Sequence, residues 1–410
     1  NSTIGSSDVG FDLEVIRPAA AEQPAMPTPG ALNSGFTAVV PPNIRQVNHT
    51  PSEPDDSQVV AITAKVTDPQ GVASVSLLYQ VVAAGQFIPA RMPRTVAQIL
   101  ADPEGDPPPN PAFEDPANWI SVPMLDDGSN GDALAGDSTF TAVLPAQAHR
   151  TLVRYRIEIA DLGGASVRVP FPDDDSLNFA YFVYNGVPDY VASTRSIDPE
   201  GAGHVWPKET LESVPVYHWL IRPQDMGTLQ AYNGSEKFSN NGSDVELAAR
   251  RAYDWEGAMV YDGVVYDHIK ARLRGGNSRY GDFDGRFPNG KRHYKFRFNK
   301  GYYFAARDEK GRKYERKWRI FNVSRMFGTK GGNSWGLPEE IGDRLYHSMG
   351  VPTQRAHWFH FRVIDGADEA PDQYNGDFWG IQQAQERYDV RFLESRNMTK
   401  GNLYKLSDFM

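Results

Sequence analysis

One segment whose residues could do chemistry alternates between basic and aromatic side chains. It reads Lys291-Arg-His-Tyr-Lys-Phe-Arg-Phe. If it is a strand, one face carries the potential cations Lys291, His293, Lys295 and Arg297, and the other carries aromatic rings. Lysine offers a mobile point charge and arginine a bidentate fork, so phosphate is the natural counter-anion. An edge strand protected from aggregation by lysine and arginine would show the same pattern.

A glycine pair precedes this strand in Arg272-Leu-Arg-Gly-Gly-Asn-Ser-Arg. Gly275 and Gly276 follow an alternating run, where they let the backbone turn sharply or approach a ligand closely. Next to arginine, the pair could cradle phosphates. Taken alone, the motif is better explained by an ordinary β-turn with arginine on its solvent face.

A second candidate site lies in Asp126-Asp-Gly-Ser-Asn-Gly-Asp-Ala-Leu-Ala-Gly-Asp. Hard oxygen donors on a tight loop with glycine suit Ca²⁺, and the spacing is not that of an EF-hand. The segment resembles the acidic turn of bacterial immunoglobulin-like modules. The candidate ligands are Asp127, Asn130, Asp132 and Asp137. An Asx-rich turn without metal is the alternative.

Composition excludes several classes of function. The formal charge of −10 disfavours nonspecific binding to nucleic acid or anionic lipid. Since the chain has no Cys, it has no disulfide, thiolate metal site or Cys nucleophile. No apolar run approaches the roughly 18 to 20 residues that span a bilayer, so we expect no transmembrane segment. A length of 410 residues predicts two or three structural units.

These candidate sites require two kinds of domain to position them. Residues 1–45, rich in Ala and Pro, read as a linker whose end resembles the tail of a lamin-tail-type domain. Period-two runs within residues 46–187 predict an all-β sandwich, immunoglobulin-like or fibronectin-like, with a surface insertion at residues 92–118. Residues 188–212 form a connector. Residues 213–410 form a second domain.

The second domain shows strands, a helix and further strands. Asp262-Gly263 between apolar arms is a strong hairpin signal, and Asn375-Gly376 marks a second one. Residues 338–349 predict a helix, because Pro338 suits a first helical position and Ile341, Leu345 and Met349 recur every four residues. The order predicts an α+β lobe.

Four segments in order resemble the blocks of the CotH kinase family, first named from spore-coat proteins. They are the glycine motif from Arg272, the basic strand from Lys291, the segment Asn375-Gly-Asp-Phe-Trp-Gly-Ile-Gln-Gln-Ala-Gln-Glu386, and Gly401-Asn-Leu-Tyr-Lys405. This resemblance implies a protein-kinase-like fold over residues 213–410, ATP bound with Mg or Mn, and a protein substrate. It also implies a bacterial protein that is secreted or lies at the cell surface.

The resemblance further implies nucleotide-binding residues. Lys295 would contact the α- and β-phosphates, with Lys291 as the alternative. Arg274 and Asn277 would lie over the phosphates, and Glu386 near the lobe hinge. Glu340 could orient the lysine or could instead serve helix-start electrostatics.

In the CotH family, the catalytic and metal-binding acids follow the Leu-Tyr-Lys block, and this chain ends at Met410. We therefore expect an incomplete kinase-like domain that binds nucleotide weakly at most, with whole-protein activity as ATP-dependent protein phosphorylation. The alternative is a non-catalytic component of a cell-surface or extracellular assembly, whose partners are neighbouring subunits.

Overall fold

The structure is a computed structural model. The structure describes residues 40–102, 105–191, 203–231, 254–274, 291–308, 310–326, 337–369, 376–399 and 401–404. Strands account for 40% of the described residues and helices for 14%. The chain divides into two compact units. The first contains the described residues up to Val82, together with Glu114–Asn185 and Gly263–Val265; the second contains Ala83–Phe113 and the rest.

Eight antiparallel strands are described in the first unit. Their bounds are β1 (Asn43–Thr50), β2 (Val60–Thr67), β3 (Val72–Val82), β4 (Ile120–Pro123), β5 (Thr139–Leu144), β6 (Thr151–Asp161), β7 (Ser166–Val169) and β8 (Phe179–Val183). One sheet has the order β1-β2-β5, and the other has the order β4-β3-β6-β7 with β8 paired to β6. The alternating runs of the sequence are therefore strands of two sheets.

The two sheets share one hydrophobic core. Along β2, Val60 and Ile62 are buried while their neighbours are half-buried, so the period of two separates an inner from an outer face. Leu77 of β3 and Ile157 of β6 belong to the same core. Burying a side chain of this size contributes about 1.5–3 kcal/mol.

The second unit contains the insertion between β3 and β4 and the C-terminal part of the chain. Its helices are α1 (Val96–Ala101), α2 (Pro111–Glu114, at the boundary), α3 (Lys208–Leu211), α4 (Pro223–Ala231), α5 (Leu337–Ser348) and α6 (Val390–Ser395). Its strands are β9 (Tyr190–Val191), β10 (Val205–Trp206), β11 (Val216–Leu220), β12 (Trp255–Tyr261), β13 (Val264–Leu273), β14 (Tyr294–Arg297), β15 (Ile320–Ser324), β16 (Ala356–Ile364) and β17 (Phe378–Glu386).

Seven of these strands close into a barrel in the order β11-β12-β13-β14-β15-β17-β16. The closing pair is parallel: Val216 of β11 aligns with His360 of β16, and Leu220 with Ile364. The predicted hairpin at Asp262-Gly263 connects β12 and β13, with positive φ at both turn residues as a type I′ turn requires.

Aromatic rings fill the inside of the barrel. Tyr217 stacks on Phe359 with ring centroids 4.4 Å apart, and Trp219 meets Phe296 edge-on at 5.2 Å. Phe296 also lies 5.3 Å from Phe321. All five rings are fully buried. Because side chains alternate along a strand, residues next to these rings in the same strand, such as Lys295 beside Phe296, lie on the outward face.

The predicted α+β protein-kinase-like lobe is wrong, because residues of the second unit are mostly β and close into this barrel. An α+β lobe needs a helix whose apolar side covers one face of an open sheet. Here the parallel β11–β16 pair joins the two sheet edges, and α5 leaves Ile341 and Leu345 exposed.

Helix α5 itself was predicted within one residue at each end. The stretch expected to be a surface insertion, residues 92–118, carries α1, α2 and a 3₁₀ turn at Pro116–Asn118. In the described ranges, no helix has both the length and the apolar character needed to cross a bilayer.

Candidate functional site

Four cations face outward together on two adjacent strands of the barrel. The register of β13 and β14 places Lys270 opposite Arg297 and Arg272 opposite Lys295. With Asp254, these four side chains line one surface depression. The arrangement follows from alternation, because Ala271 and Phe296 between them point into the barrel core. We call Lys270, Arg272, Lys295 and Arg297 the basic cluster.

Cations repel one another in the basic cluster. Partial burial first, and then the positive charges of Arg272 and Arg387, lower the pKa of Lys295 to about 7, against a smaller opposing effect of Asp254. The pKa of Arg387 is lowered as well, by burial first and by Arg272 among other arginines, with Asp389 opposing. The Asp254 carboxylate lies 3.1 Å from Arg297. The cluster therefore carries an excess of positive charge that suits an anion.

A chain of hydrogen bonds runs from the edge of the basic cluster to helix α5. Arg274 donates to Oε1 of Gln385 over 3.3 Å, and Gln385 donates to Oε1 of Gln383 over 2.9 Å. Gln383 in turn donates to Oε2 of the buried Glu340 over 3.2 Å. Arg344 donates to the other oxygen of Glu340 over 2.6 Å. This polar relay fixes the α5 helix to the outward face of β17.

The structure separates the five predicted nucleotide-binding residues. Lys295 belongs to the basic cluster, and Arg274 begins the polar relay. Lys291 is buried elsewhere, where its Nζ donates to the carbonyl of Ile381 and burial lowers its pKa to about 7. Asn277 lies outside the described residues.

Glu386, the fifth, forms a buried ion pair. The guanidinium of Arg396 reaches its two carboxylate oxygens at 2.9 and 2.7 Å, and the backbone N–H of Arg355 donates to it over 3.1 Å. Burial nevertheless raises the pKa of the Glu386 carboxyl. Because its oxygens are engaged within the fold, Glu386 is explained by packing of α6 against β17.

Sequence reasoning missed half of the basic cluster. Lys270 and Arg272 alternate with Ala271 in a segment recognised as a strand, but its outward face was not compared with that of the next strand. Their alternation was the available signal. Asp254 gave none, because it lies just before β12 and becomes a neighbour of the cluster only when β12, β13 and β14 assemble side by side.

The acidic loop of the first unit brings three carboxylates together. One oxygen each of Asp126, Asp132 and Asp137 lies within 4.8 Å of the other two. Asp127 instead accepts the N–H and hydroxyl of Ser129, both at 2.8 Å, and Asn130 is exposed. The candidate set therefore contains Asp126 in place of Asp127 and Asn130. A calcium ion here stays a prediction.

These carboxylates also organise the loop. Asp126 accepts the backbone N–H groups of Gly136 and Ser138 at 2.7 and 2.9 Å, and Asp132 accepts that of Gly128 at 2.6 Å. Such side chain to backbone bonds are the reason that Asp recurs in tight turns.

A buried histidine in the second unit lies between two acids. His268 contacts Glu256 through Nδ1 and lies 3.3 Å from Asp267 through Nε2. Glu256 also accepts the backbone N–H of Ala90 over 2.6 Å. Burial would raise the pKa of Glu256, but the charge and hydrogen bond of His268 outweigh it, and the pKa is lowered. Glu256 on β12 thus links the ring of His268 on β13 to the backbone at Ala90.

Comparisons with known proteins add little to this description. No protein-family model and no curated protein matches the chain. Among solved structures, a DUF4466 family protein from Parabacteroides merdae matches at 12% identity, with 72% of this chain and 96% of that chain covered. Its TM-score of 0.17 does not establish a common fold. The resemblance to the CotH family stays a prediction.

Proposed function

We propose that this chain binds the phosphate groups of a phosphorylated ligand at the basic cluster on the outward face of β13 and β14. The observation that carries this proposal is the pair of like-charged contacts, Lys270 opposite Arg297 and Arg272 opposite Lys295. Like charges directly opposite each other destabilise a sheet. An anion between the two strands would replace that repulsion with charge-assisted hydrogen bonds.

The chemistry of the basic cluster favours phosphate over other anions. Two guanidinium groups offer bidentate forks and two lysines offer mobile charges, which together suit a group with several oxygens. The cluster also opposes the average charge of the protein, which is −10. A bound anion would raise the depressed pKa of Lys295 toward its ordinary range, so binding would take up protons near pH 8.

ATP with Mg or Mn is the ligand that the CotH resemblance implies, so ATP is a suitable ligand for testing phosphate binding. Phosphoryl transfer also needs carboxylates to orient the acceptor and hold the metal. Among the residues that the structure describes, Asp254 is the carboxylate that lines the depression, and it is paired with Arg297. We therefore propose binding and not transfer on this face. Protein phosphorylation by a complete CotH-type domain and a non-catalytic assembly role both stay predictions.

Calorimetric titration with ATP, pyrophosphate and adenosine tests the proposal. We expect ATP and pyrophosphate to bind with a Kd on the order of 0.1 to 1 mM, whereas adenosine does not bind. The affinity should fall as salt screens the cluster. Binding of adenosine as tight as that of ATP, or no binding of either phosphate compound, would contradict it.

Variants locate the site. Arg272→Gln and Lys295→Gln should each weaken pyrophosphate binding by about tenfold, which corresponds to about 1.4 kcal/mol. Lys310→Gln is the matched control, because Lys310 is exposed in the same unit outside the cluster. Equal effects of all three changes would show that binding depends only on the net charge of the protein. That result would contradict a binding site at the basic cluster.

A further inference from the structure

The depression that holds the basic cluster also contains an acid. Asp254, immediately before β12, lines it together with Lys270, Arg272, Lys295 and Arg297. The side chain of Asp254 is 23% exposed. A carboxylate at this place repels a bare phosphate group, so the four cations alone do not define the ligand. A ligand that fits the whole lining also offers a group that a carboxylate attracts.

The carboxylate of Asp254 has acceptor capacity left for such a group. Nη2 of Arg297 donates to its Oδ2 over 3.1 Å. Arginine and a carboxylate can form two parallel hydrogen bonds, and here one is formed. Among the residues that the structure describes, none donates to Oδ1 of Asp254. A hydrogen-bond donor of a ligand therefore fits at this oxygen.

Arg297 brings the phosphate and this donor close together. Its guanidinium has several N–H groups, and one of them engages Asp254. A phosphate oxygen held by another of these N–H groups lies beside the carboxylate. A hydroxyl on the carbon next to a phosphate ester is then within reach of Oδ1.

The rest of the described lining offers polar contacts as well. Tyr294 and Phe296, the aromatic residues of β14, are fully buried inside the barrel. Bases of nucleic acids bind proteins largely by stacking on exposed rings, whereas a hydroxyl donates to a carboxylate and accepts from lysine or arginine. The lining therefore suits a polyol better than a nucleoside.

We infer that the ligand of this depression is the phosphate ester of a polyol, whose phosphate binds the basic cluster while a neighbouring hydroxyl donates to Asp254. This inference rests on the proposed phosphate binding and names the class of compound that carries the phosphate. Asp254 determines specificity here, because it attracts a hydroxyl donor and repels a phosphate chain that has none.

Two ligands that differ only in hydroxyl groups test the inference on the wild-type chain. Glycerol 3-phosphate has hydroxyls that n-propyl phosphate lacks. Titrations followed by ³¹P NMR should show that glycerol 3-phosphate binds about tenfold more tightly, since its hydroxyl donates to an ionised acceptor. Equal affinities, with pyrophosphate still bound, would overturn the inference and leave the phosphate site in place. If no phosphate compound binds, the proposed function fails and the inference fails with it.

Asp254→Asn should change the affinities for two kinds of ligand in opposite directions. Pyrophosphate should bind about two- to fivefold more tightly, because a repelling charge is removed. Glycerol 3-phosphate should bind more weakly and lose its advantage over n-propyl phosphate. Asp262→Asn is the matched control, since Asp262 forms an ion pair with Arg307 outside the depression. Tighter binding of all three ligands to Asp254→Asn would show that Asp254 only repels anions, which contradicts the inference.

ATP and inorganic triphosphate distinguish a polyol site from a nucleotide site. Each presents a chain of three phosphates, so ATP should bind no more tightly than inorganic triphosphate. Binding of ATP that is about tenfold tighter would indicate contacts to the nucleoside and would overturn the inference.

Discussion

Arg272 on β13 lies directly opposite Lys295 on β14, so two cations occupy a position where a sheet gains stability from opposite charges. Lys270 and Arg297 repeat the arrangement two residues along. A fold that keeps such contacts gives up stability at that place, which is common where residues serve binding. This relationship yields the first prediction.

Replacing Lys295 with Met should stabilise the protein while it weakens phosphate binding. We expect Lys295→Met to raise the free energy of unfolding by about 0.5–1 kcal/mol at pH 6.5 to 7, because the repulsion is removed. Urea denaturation measures the change. Lys310→Met, which alters an exposed lysine outside the cluster, should have an effect near zero. A variant that is clearly less stable than the wild type would show that Lys295 has favourable contacts that outweigh the repulsion.

The same pair of proteins gives a pH dependence with a defined sign. The pKa of Lys295 is about 7 in the folded chain and 10.5 ordinarily. Between these values the unfolded chain binds the extra proton, so the wild type gains stability as pH rises. The advantage of Lys295→Met should therefore shrink from pH 7 toward pH 10. Lys291 is present in both the wild type and Lys295→Met, so its contribution cancels in the difference between their free energies of unfolding.

Breaking the Glu386–Arg396 pair should destabilise the second unit. Both side chains are nearly buried, and removing one partner leaves the other charge buried. Arg396→Leu should cost about 3–5 kcal/mol in urea denaturation. Arg312→Leu provides the contrast, because Arg312 forms an exposed ion pair with Asp308 and should cost less than about 1 kcal/mol. A small cost at Arg396 together with lost phosphate binding would instead restore Glu386 as a ligand-binding residue.

Replacing the buried His268, which lies between two acids, should lower the free energy of unfolding. His268→Leu would leave Glu256 and Asp267 buried without it, at a cost of about 3–5 kcal/mol near neutral pH. The lowered pKa of Glu256 stabilises the fold above its ordinary value of 4.5 and ceases to do so as pH falls. The cost of His268→Leu should therefore decrease in acid. His347→Leu, at an exposed histidine, should show neither effect.

Asp126 should matter more for stability than its neighbour Asp127. Asp126→Ala removes the acceptor of the Gly136 and Ser138 N–H groups and should lower the free energy of unfolding by about 1–3 kcal/mol. Asp127→Ala loses contacts only to Ser129 and should cost less. Thermal melting with and without Ca²⁺ tests the metal as well, since a bound ion raises the Tm by mass action. An unchanged Tm would leave the loop explained by its hydrogen bonds.

Local patterns predicted strands such as β2, β3 and β6, the Asp262-Gly263 turn and helix α5, because each depends on spacing within a short segment. Which strands pair with one another could not be predicted from these patterns. Nothing in Val216–Leu220 indicates that this strand pairs with Ala356–Ile364 in parallel, and that pairing decides between an open sheet and a barrel. Ile341 and Leu345 correctly predicted a helix, but their spacing does not tell which side faces the fold.

The candidate site shows the same limit. Lys295 could be assigned to a charged face from its own strand, whereas Lys291, in the same alternation, lies before the regular strand and is buried against Ile381. Asp254, just before β12, joins a cluster carried by the next two strands, β13 and β14, and no local pattern marks it. Residues within one strand were therefore predictable, and residues brought together from neighbouring strands were not.

The parallel contact between β11 and β16 also orders events during synthesis. Val216 emerges from the ribosome long before His360, its partner in the closing pair. Until the later strand appears, β11 has no neighbour on that side, and its edge can pair with other nascent chains. Contacts so distant in sequence slow folding, because a long loop must close first. The β11–β16 pair can therefore form only after both strands have been made, and we expect its closure to limit the rate at which the barrel folds.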